Sequence, residues 1–499
     1  MNNADRPILT LKSTSQGDPI DDRPIELGVY DVLLPCRQFA IDHKVAEVGR
    51  VSLTAEFVLR LLKSVDGMSE DDVAAFFGFD RRDMSFVLTE VETQGYVGRQ
   101  DGRLWLTTIG QALFRDGSSH PEIFEVERRQ ETIGFDLVAL APQDRRFLDD
   151  FERRLPELKL IDPAKASSAT RRVPDAFRKF YTEITSRREP SATPKRSLYS
   201  IDNVVAQERF SSTVRISVCS TGLRPSIAEP DLSDWRPEYE REDRSLIIEA
   251  ASRFVEELKV SRRADDRDAY QVLIDLAPEF LKDFTRRDGL SAERYYREAL
   301  ARAGDVRADR PTVPVLGSLF TRENTRRLFD IADYGMRAVS EPSTLCVWIA
   351  PQTPFWGATN SLPAILAQIK TRILAPAAGA PGEVENATIG LIAGKAAKHI
   401  EMAFDNIGTC DAPSFPPALE ILLAPRVLIA AIVNAPIGLP NGAAVPLGLI
   451  SFDERVVARA QAYVVDRIAS FSISDEMCGK IRTDMSNSIL QADSDVGPA

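Results

Sequence analysis

The sequence predicts a multidomain α/β chain: a small N-terminal module of short helices closed by a β-hairpin, a mainly helical middle, and a mixed α/β sandwich at the C-terminal end. Three observations lead there. Its 499 residues exceed what one hydrophobic core serves, which at about 100 to 200 residues per domain implies two to four domains. Between residues 50 and 114, apolar side chains recur at helical spacing in short bursts punctuated by glycine. From about Val313, continuous apolar runs alternate with amphipathic helices, the pattern of a sheet covered on both faces.

Residues 1–24 are polar, with Gly17, Pro19 and the pair Asp21-Asp22, and bury too little to offset chain entropy; a loose arm is expected. The run 25–36 reads either as a strand or as a leading helix, and opens a module expected over 25–116. Phe57, Val58, Leu61 and Leu62 mark a first helix that Gly67 ends. Ser69 with Asp72 opens a second, with Val73, Phe76 and Phe77 as its inner face and Gly78 as its stop. Asp80 caps a third, built on Met84, Val87, Leu88 and Val91. Residues 96–99 and 103–106 then flank Asp101-Gly102, which supplies the positive backbone angles of a tight hairpin turn, and 107–110 begin a closing helix.

Farther on, 117–185 are expected as a short β-containing extension followed by polar helices, and the charged, proline-broken segment 186–200 as a linker. A mainly helical middle is expected over 201–310: after a strand at Val214, Ile216 and Val218 come one helix through Leu246, Ala250, Phe254 and Leu258 and another through Val272, Leu276 and Phe280. The α/β unit is expected over 311–475 and a polar tail over 476–499. Inside the α/β unit the predicted order is helix 324–338, strand 345–350, helix 361–370, strand 371–374 and a Gly/Pro/Ala loop. Strand 388–393, helix 395–406, strands 419–423, 427–433 and 445–451, and helix 454–469 follow.

Composition narrows the function classes. With 44% hydrophobic and 27% charged residues and no apolar run near the roughly 20 that span a bilayer, no membrane partner is expected. The N-terminus lacks the features of a secretory signal, so the expected compartment is cytoplasmic. Cys36, Cys219, Cys346, Cys410 and Cys478 are scattered and odd in number, as reduced thiols are, and no spacing sets two thiolates on a zinc ion; no metal or cofactor is expected. A net charge of -12 disfavours indiscriminate attachment to phosphate backbones, so any DNA contact must come from a local patch.

Three short helices, a two-stranded wing and a closing helix resemble the winged-helix fold, as does Gly95-Tyr96 followed by Leu106-Thr107-Thr108-Ile109-Gly110. The resemblance implies that the third helix enters the major groove. Arg81, Arg82, Ser85, Thr89 and Thr93 share its outward side, and Arg99 and Arg103 flank the wing turn, where they would reach a phosphate or the minor groove; these seven are the expected DNA-binding residues. Against this, residues 50–114 hold seven basic and ten acidic side chains. The same module used as a protein-protein or structural element is the alternative.

In the last third, Trp348-Ile349-Ala350-Pro351, a helix and then 369–374 look like the opening strand-helix-strand of phospholipase D-like domains, and 419–423, 426–429 and 448–453 resemble that family's closing hairpin. Active members use a histidine nucleophile with a lysine two residues on. Here Ala424-Pro425-Arg426 stands in that place, and none of His43, His120 and His399 has the following lysine, so the resemblance implies a degenerate, non-catalytic copy for sensing or assembly. Candidate ligand or pseudo-active-site residues are Phe355, Trp356, His399, Arg426, Asn434 and Asp453. His399, with Gly394, Lys395 and Lys398 at a helix start, fits an anion, or else is a surface or capping residue; Phe355 and Trp356 after a strand fit an apolar pocket, or an aromatic lid over the core.

These readings combine into an expected non-enzymatic DNA-associated protein with a protein partner or homodimer interface: a transcriptional regulator, or an accessory subunit of a bacterial DNA-handling or antiviral defence system. The alternatives are an atypical phosphodiesterase or nuclease around His399, Arg426, Asn434 and Asp453, and a scaffold that never touches nucleic acid.

Overall fold

The computed structural model describes residues 24–48, 52–65, 67–114, 120–121, 124–188, 196–237, 239, 245–301, 306–307, 309–340, 343–374, 386–412 and 415–494. The expected arm, save for Pro24, lies outside them, as do 189–195 of the expected linker and 495–499 of the expected tail.

The ambiguous run at the start is a strand, and a long one: β1 spans Pro24–Val48. Its alternating Val32, Leu34 and Cys36, then Phe39 and Ile41, are buried. The chain next forms α1 (Leu53–Ser64), β2 (Met68–Ser69), α2 (Glu70–Phe77), α3 (Arg81–Thr93), β3 (Val97–Gln100), β4 (Arg103–Leu106) and α4 (Thr108–Ala112). Side-chain oxygens of Ser52, Ser69, Asp80 and Thr107 take free amides at the four helix starts. Val58, Leu62, Val73, Met84 and Leu88 close around Leu104 and Leu106 into a core of their own. Phe76, expected inside, is 65% exposed.

The chain then returns antiparallel to β1 as β5 (Phe124–Asp136), with Val48 opposite Phe124 and Cys36 opposite Asp136, so the helical module is an insertion at the tip of a long hairpin. After β6 (Pro142–Gln143), α5 (Pro163–Ser167) and α6 (Ala169–Arg188), strand β7 (Arg196–Thr221) pairs along the other side of β1 from Glu47 to Pro24, and β8 (Arg224–Asp231) completes the order β6-β5-β1-β7-β8. Fully extended, 25 residues reach roughly 80 Å. Val173, Phe177, Tyr181 and Ile184 of α6 cover Phe39, Ile41, Ile133 and Phe135 at the module-bearing half of this sheet. The expected linker 186–200 is therefore corrected: it stands between a helix and a central strand of one sheet, and the expected helical middle begins with β structure up to Asp231.

The helical part follows as α7 (Ser245–Glu257), β9 (Lys259–Ser261), α8 (Asp266–Leu276), α9 (Pro278–Leu281), β10 (Thr285–Arg286), β11 (Gly289–Leu290) and α10 (Ala292–Ala301). Ile247, Phe254, Leu273, Leu276 and Tyr295 pack in one cluster with Ile25, Leu27 and Val32 of β1 and with one face of the C-terminal sheet.

That sheet combines β12 (Thr312–Leu316), β13 (Leu345–Ile349), β14 (Ala387–Ala393), β15 (Asn406–Cys410), β16 (Leu419–Ala424), β17 (Leu428–Ala435) and β19 (Val445–Ser451), with the short β18 (Asn441–Ala443) pairing β9 instead. Its order is β12-β19-β17-β16-β13-β14-β15, with β13, β14 and β15 parallel and the other pairs antiparallel. Helices α11 (Arg322–Ala338), α12 (Ser361–Arg372), α13 (Lys398–Ala403), α14 (Glu454–Ile468) and α15 (Asp475–Ser494) connect or follow the strands. Alternate residues face opposite sides: Val347, Ile349, Ile421 and Leu423 join one core, Cys346, Trp348, Leu422 and Ala424 the other. The mixed α/β layering predicted from continuous apolar runs is thus present.

Three local expectations are corrected. No strand occupies 371–374, because α12 continues to Arg372 and Ile369 and Ile373 are buried four residues apart; the parallel partner of β13 is β14. The helix expected over 395–406 is only Lys398–Ala403, and Asn406 already starts β15. The polar tail is largely α15, docked through buried Ile481 and Met485 and through Asp484, which accepts from Arg426 Nη2 at 2.7 Å and from Ser343 Oγ at 2.5 Å. Among the described residues no helix is long and apolar enough to cross a membrane.

Candidate functional site

Two regions carry the predicted site residues. In the inserted module, the Asp80 carboxylate accepts from the amides of Arg82 and Asp83, both at 2.8 Å, which fixes the start of α3. Met84, Val87, Leu88 and Val91 hold its inner side. Arg81, Arg82, Ser85, Thr89 and Thr93 are all exposed, as the spacing predicts, and Arg82, Ser85, Thr89 and Thr93 border one shallow depression. Thr89 donates to Ser85 O at 2.7 Å, an internal use of its hydroxyl proton. Among the described residues neither Arg81 nor Arg82 has an ion-pair partner. Phe86 stands in the middle of this surface, 76% exposed, and was not singled out in the sequence because an isolated aromatic there gives no periodic signal.

The hairpin arginines behave differently. Arg99 donates to Glu92 at 2.6 Å and to Glu70 at 2.7 Å; the Glu92 hydrogen bond in particular holds its pKa above the usual guanidinium value. Arg103 donates to Gly67 O at 3.0 Å. Arg99 thereby clips the hairpin to α2 and α3 and Arg103 holds it to the turn before β2, so the expected basic surface contracts to the start of α3.

In the α/β unit the six candidates do not form one site. Arg426 has φ +67° in the turn between β16 and β17; its amide donates to Gln461 Oε1 at 2.9 Å and its guanidinium to Asp484. Asp453 caps α14, accepting from the Arg455 amide at 2.9 Å. These two sit at one end of the strands, whereas Asn434 is at the other end of β17, eight residues from Arg426 and hence roughly 25 Å away along the strand.

Trp356, His399 and Asn434 belong to the opposite edge, where β13 ends. His399 is 4% exposed; its Nε2–H donates to Trp356 O at 3.0 Å, and Phe151 meets the ring edge-on. Burial lowers its pKa, so the ring stays neutral. The anion-holding and surface-residue expectations for His399 are corrected: the ring is turned inward as a brace for the 351–360 loop. Phe355, with φ +54°, leans on Phe254 of α7. Asp31 of β1 ties the same loop to the long-stranded sheet, accepting from Thr359 Oγ1 at 3.0 Å, the Asn360 amide at 2.7 Å and both Arg215 Nε and Nη2 at 3.0 Å.

Sequence reading missed Glu420. It is the one charged residue in β16, β17 and β19, a signal available in principle as a carboxyl interrupting an apolar run. At 1% exposure it accepts from Trp348 Nε1 at 3.0 Å and Asn434 Nδ2 at 3.2 Å. Desolvation pushes its pKa up to about 7 against those hydrogen bonds. Trp356 Nε1 is buried nearby without a well-formed hydrogen bond among the described residues, and its N–H still acts on Glu420 to lower that pKa. Asn434 and Trp356 also line a cavity of about 40 Å³ closed on the other side by Leu27 to Tyr30 of β1, room for one or two waters at roughly 30 Å³ each. The arrangement joins two sheets around a desolvated carboxyl, and among the described residues it brings no histidine, nucleophile and base together.

Comparison with known proteins yields no matching family model, no matching curated protein and no matching solved structure.

Proposed function

We propose that the chain is a non-enzymatic DNA-associated protein in which a winged-helix module, carried at the tip of a long β-hairpin, is coupled to a degenerate phospholipase D-like unit for sensing or assembly. The role is that of a transcriptional regulator or of an accessory subunit in a bacterial DNA-handling or defence system. One observation carries it: Arg81 and Arg82, unpaired among the described residues, share an exposed α3 surface with Ser85, Thr89 and Thr93. Contact runs through the helix, not the wing. The closing hairpin β16–β17 supports the phospholipase D-like reading, whereas 369–374, expected as the second strand of its opening, is helical to Arg372.

Fluorescence anisotropy on a labelled duplex across a salt series tests this. The Arg81→Glu/Arg82→Glu variant is expected to bind at least about tenfold more weakly, with a salt slope shallower by about two. Unchanged affinity would refute DNA contact by this route. Preference among duplex sequences supports regulation, and salt-sensitive binding without preference supports the accessory role.

A second reading has its own observation. Phe86 at 76% and Phe76 at 65% exposure, with Leu53 and Ile109 also open, leave this acidic module with several exposed apolar side chains of the kind a protein partner covers. Loss of a protein complex or of self-association in Phe86→Ser, with DNA affinity unchanged, would favour the scaffold.

A further inference from the structure

Between the turn after β9, the start of α8, the entrance to α10 and the chain just past β17 lies a cleft of about 500 Å³, a size within the range of small-molecule sites. None of the site residues expected from the sequence lines it. Arg262, Arg263 and Arg267 line it together with Asp288, Glu293, Tyr270 and Ser291.

The cleft keeps its charges apart. Among the described residues these arginines form no ion pair with Asp288 or Glu293, although both signs border one space. Arg263 is held in place instead: its Nη2 donates to Gln352 O at 3.0 Å in the loop after β13. The remaining carboxylate, Asp266, is buried and spent on the Arg263 amide at 2.8 Å, and burial raises its pKa, which weakens it as a competitor for the guanidinium groups. The Tyr270 hydroxyl is shut off from solvent with no hydrogen-bond partner among the described residues.

Planar guanidinium groups match phosphate oxygens two at a time, and carboxylates across a gap accept from hydroxyls. We propose that this cleft is a binding site for a phosphate-bearing, hydroxyl-rich small molecule of nucleotide size, with Arg262 and Arg267 on the phosphate and Asp288 and Glu293 on the hydroxyls. The site is separate from the α3 surface and does not rest on the DNA reading; failure of either leaves the other standing.

Calorimetric titration of the full chain with adenosine diphosphate and, separately, inorganic pyrophosphate tests the assignment. Both are expected to bind, the nucleotide more tightly. Arg262→Ala/Arg267→Ala, at two exposed positions, is expected to weaken both at least tenfold with an unchanged melting curve. Tyr270→Phe, which removes one oxygen, is expected to weaken them a few-fold, and Asp288→Asn to weaken only the nucleotide. Absence of heat for both probes at millimolar concentration, or equal affinity of the wild type and the double arginine variant, would overturn the site. Pyrophosphate binding as tightly as the nucleotide would overturn the hydroxyl-recognising role of Asp288 and Glu293.

Discussion

The inserted helical module and the C-terminal sheet use apolar side chains in opposite ways. Every residue of β13, β16, β17 and β19 is buried, on two faces at once. The module leaves Leu53, Phe57, Phe76, Phe86 and Ile109 open to solvent around a small core of its own. The sheet therefore buries its apolar side chains while the module leaves several of its own exposed, and substitutions of similar size should have unlike consequences in the two places.

Trp348→Ala against Phe86→Ala is the sharpest form of that contrast. Trp348 is fully buried among Phe320, Trp356 and Phe404, and its removal is expected to cost about 3–5 kcal/mol by denaturant unfolding. Phe86→Ala is expected to change stability by no more than about 0.5 kcal/mol; equal losses would erase the distinction.

Glu420 gives the sheet a pH signature that the module lacks. Its carboxyl titrates at about 7 when folded against an ordinary 4.5, so the folded state binds the proton more tightly. The resulting stability is complete below pH 4.5 and is lost as pH rises through 7, up to about 3 kcal/mol. Melting temperature should fall between pH 5 and pH 8, and Glu420→Gln should flatten that fall; a variant with the wild-type slope would assign it elsewhere.

Within the module, Asp80→Ala removes the acceptor for two α3 amides and is expected to cost about 1 kcal/mol. The loss should appear as faster amide exchange in α3, with the sheet unaffected. Arg99→Ala is the mildest: an exposed arginine between two partly exposed glutamates contributes under about 1 kcal/mol, and DNA affinity should not move. A clear drop in affinity would add the β3–β4 hairpin to the proposed DNA-binding surface.

What could be read in the sequence was local. Caps such as Ser69 and Asp80, the turn Asp101-Gly102, and the inner row Met84, Val87, Leu88 and Val91 specify their elements within a few residues. The long strands were obscured because β1 mixes Arg37, Gln38, Asp42 and Lys44 into its outer face, and its partner β7 lies more than a hundred residues away, with bulges that break the alternation. Ile369 to Leu374 read as a strand from its apolar residues alone, whereas its burial is helical. For the site, exposure of the α3 row followed from spacing. The capture of Arg99 by Glu70 did not, since those residues meet only through the fold, and Glu420 was hidden by being solitary.

Val48 and Phe124 face each other across one ladder, so the polypeptide leaves the long hairpin and rejoins it at the same rung. The helical head is separable in the backbone ladder: excising it and closing the rung with a two-residue turn should leave β1 and β5 in register, and the body should fold as before with a different head grafted there.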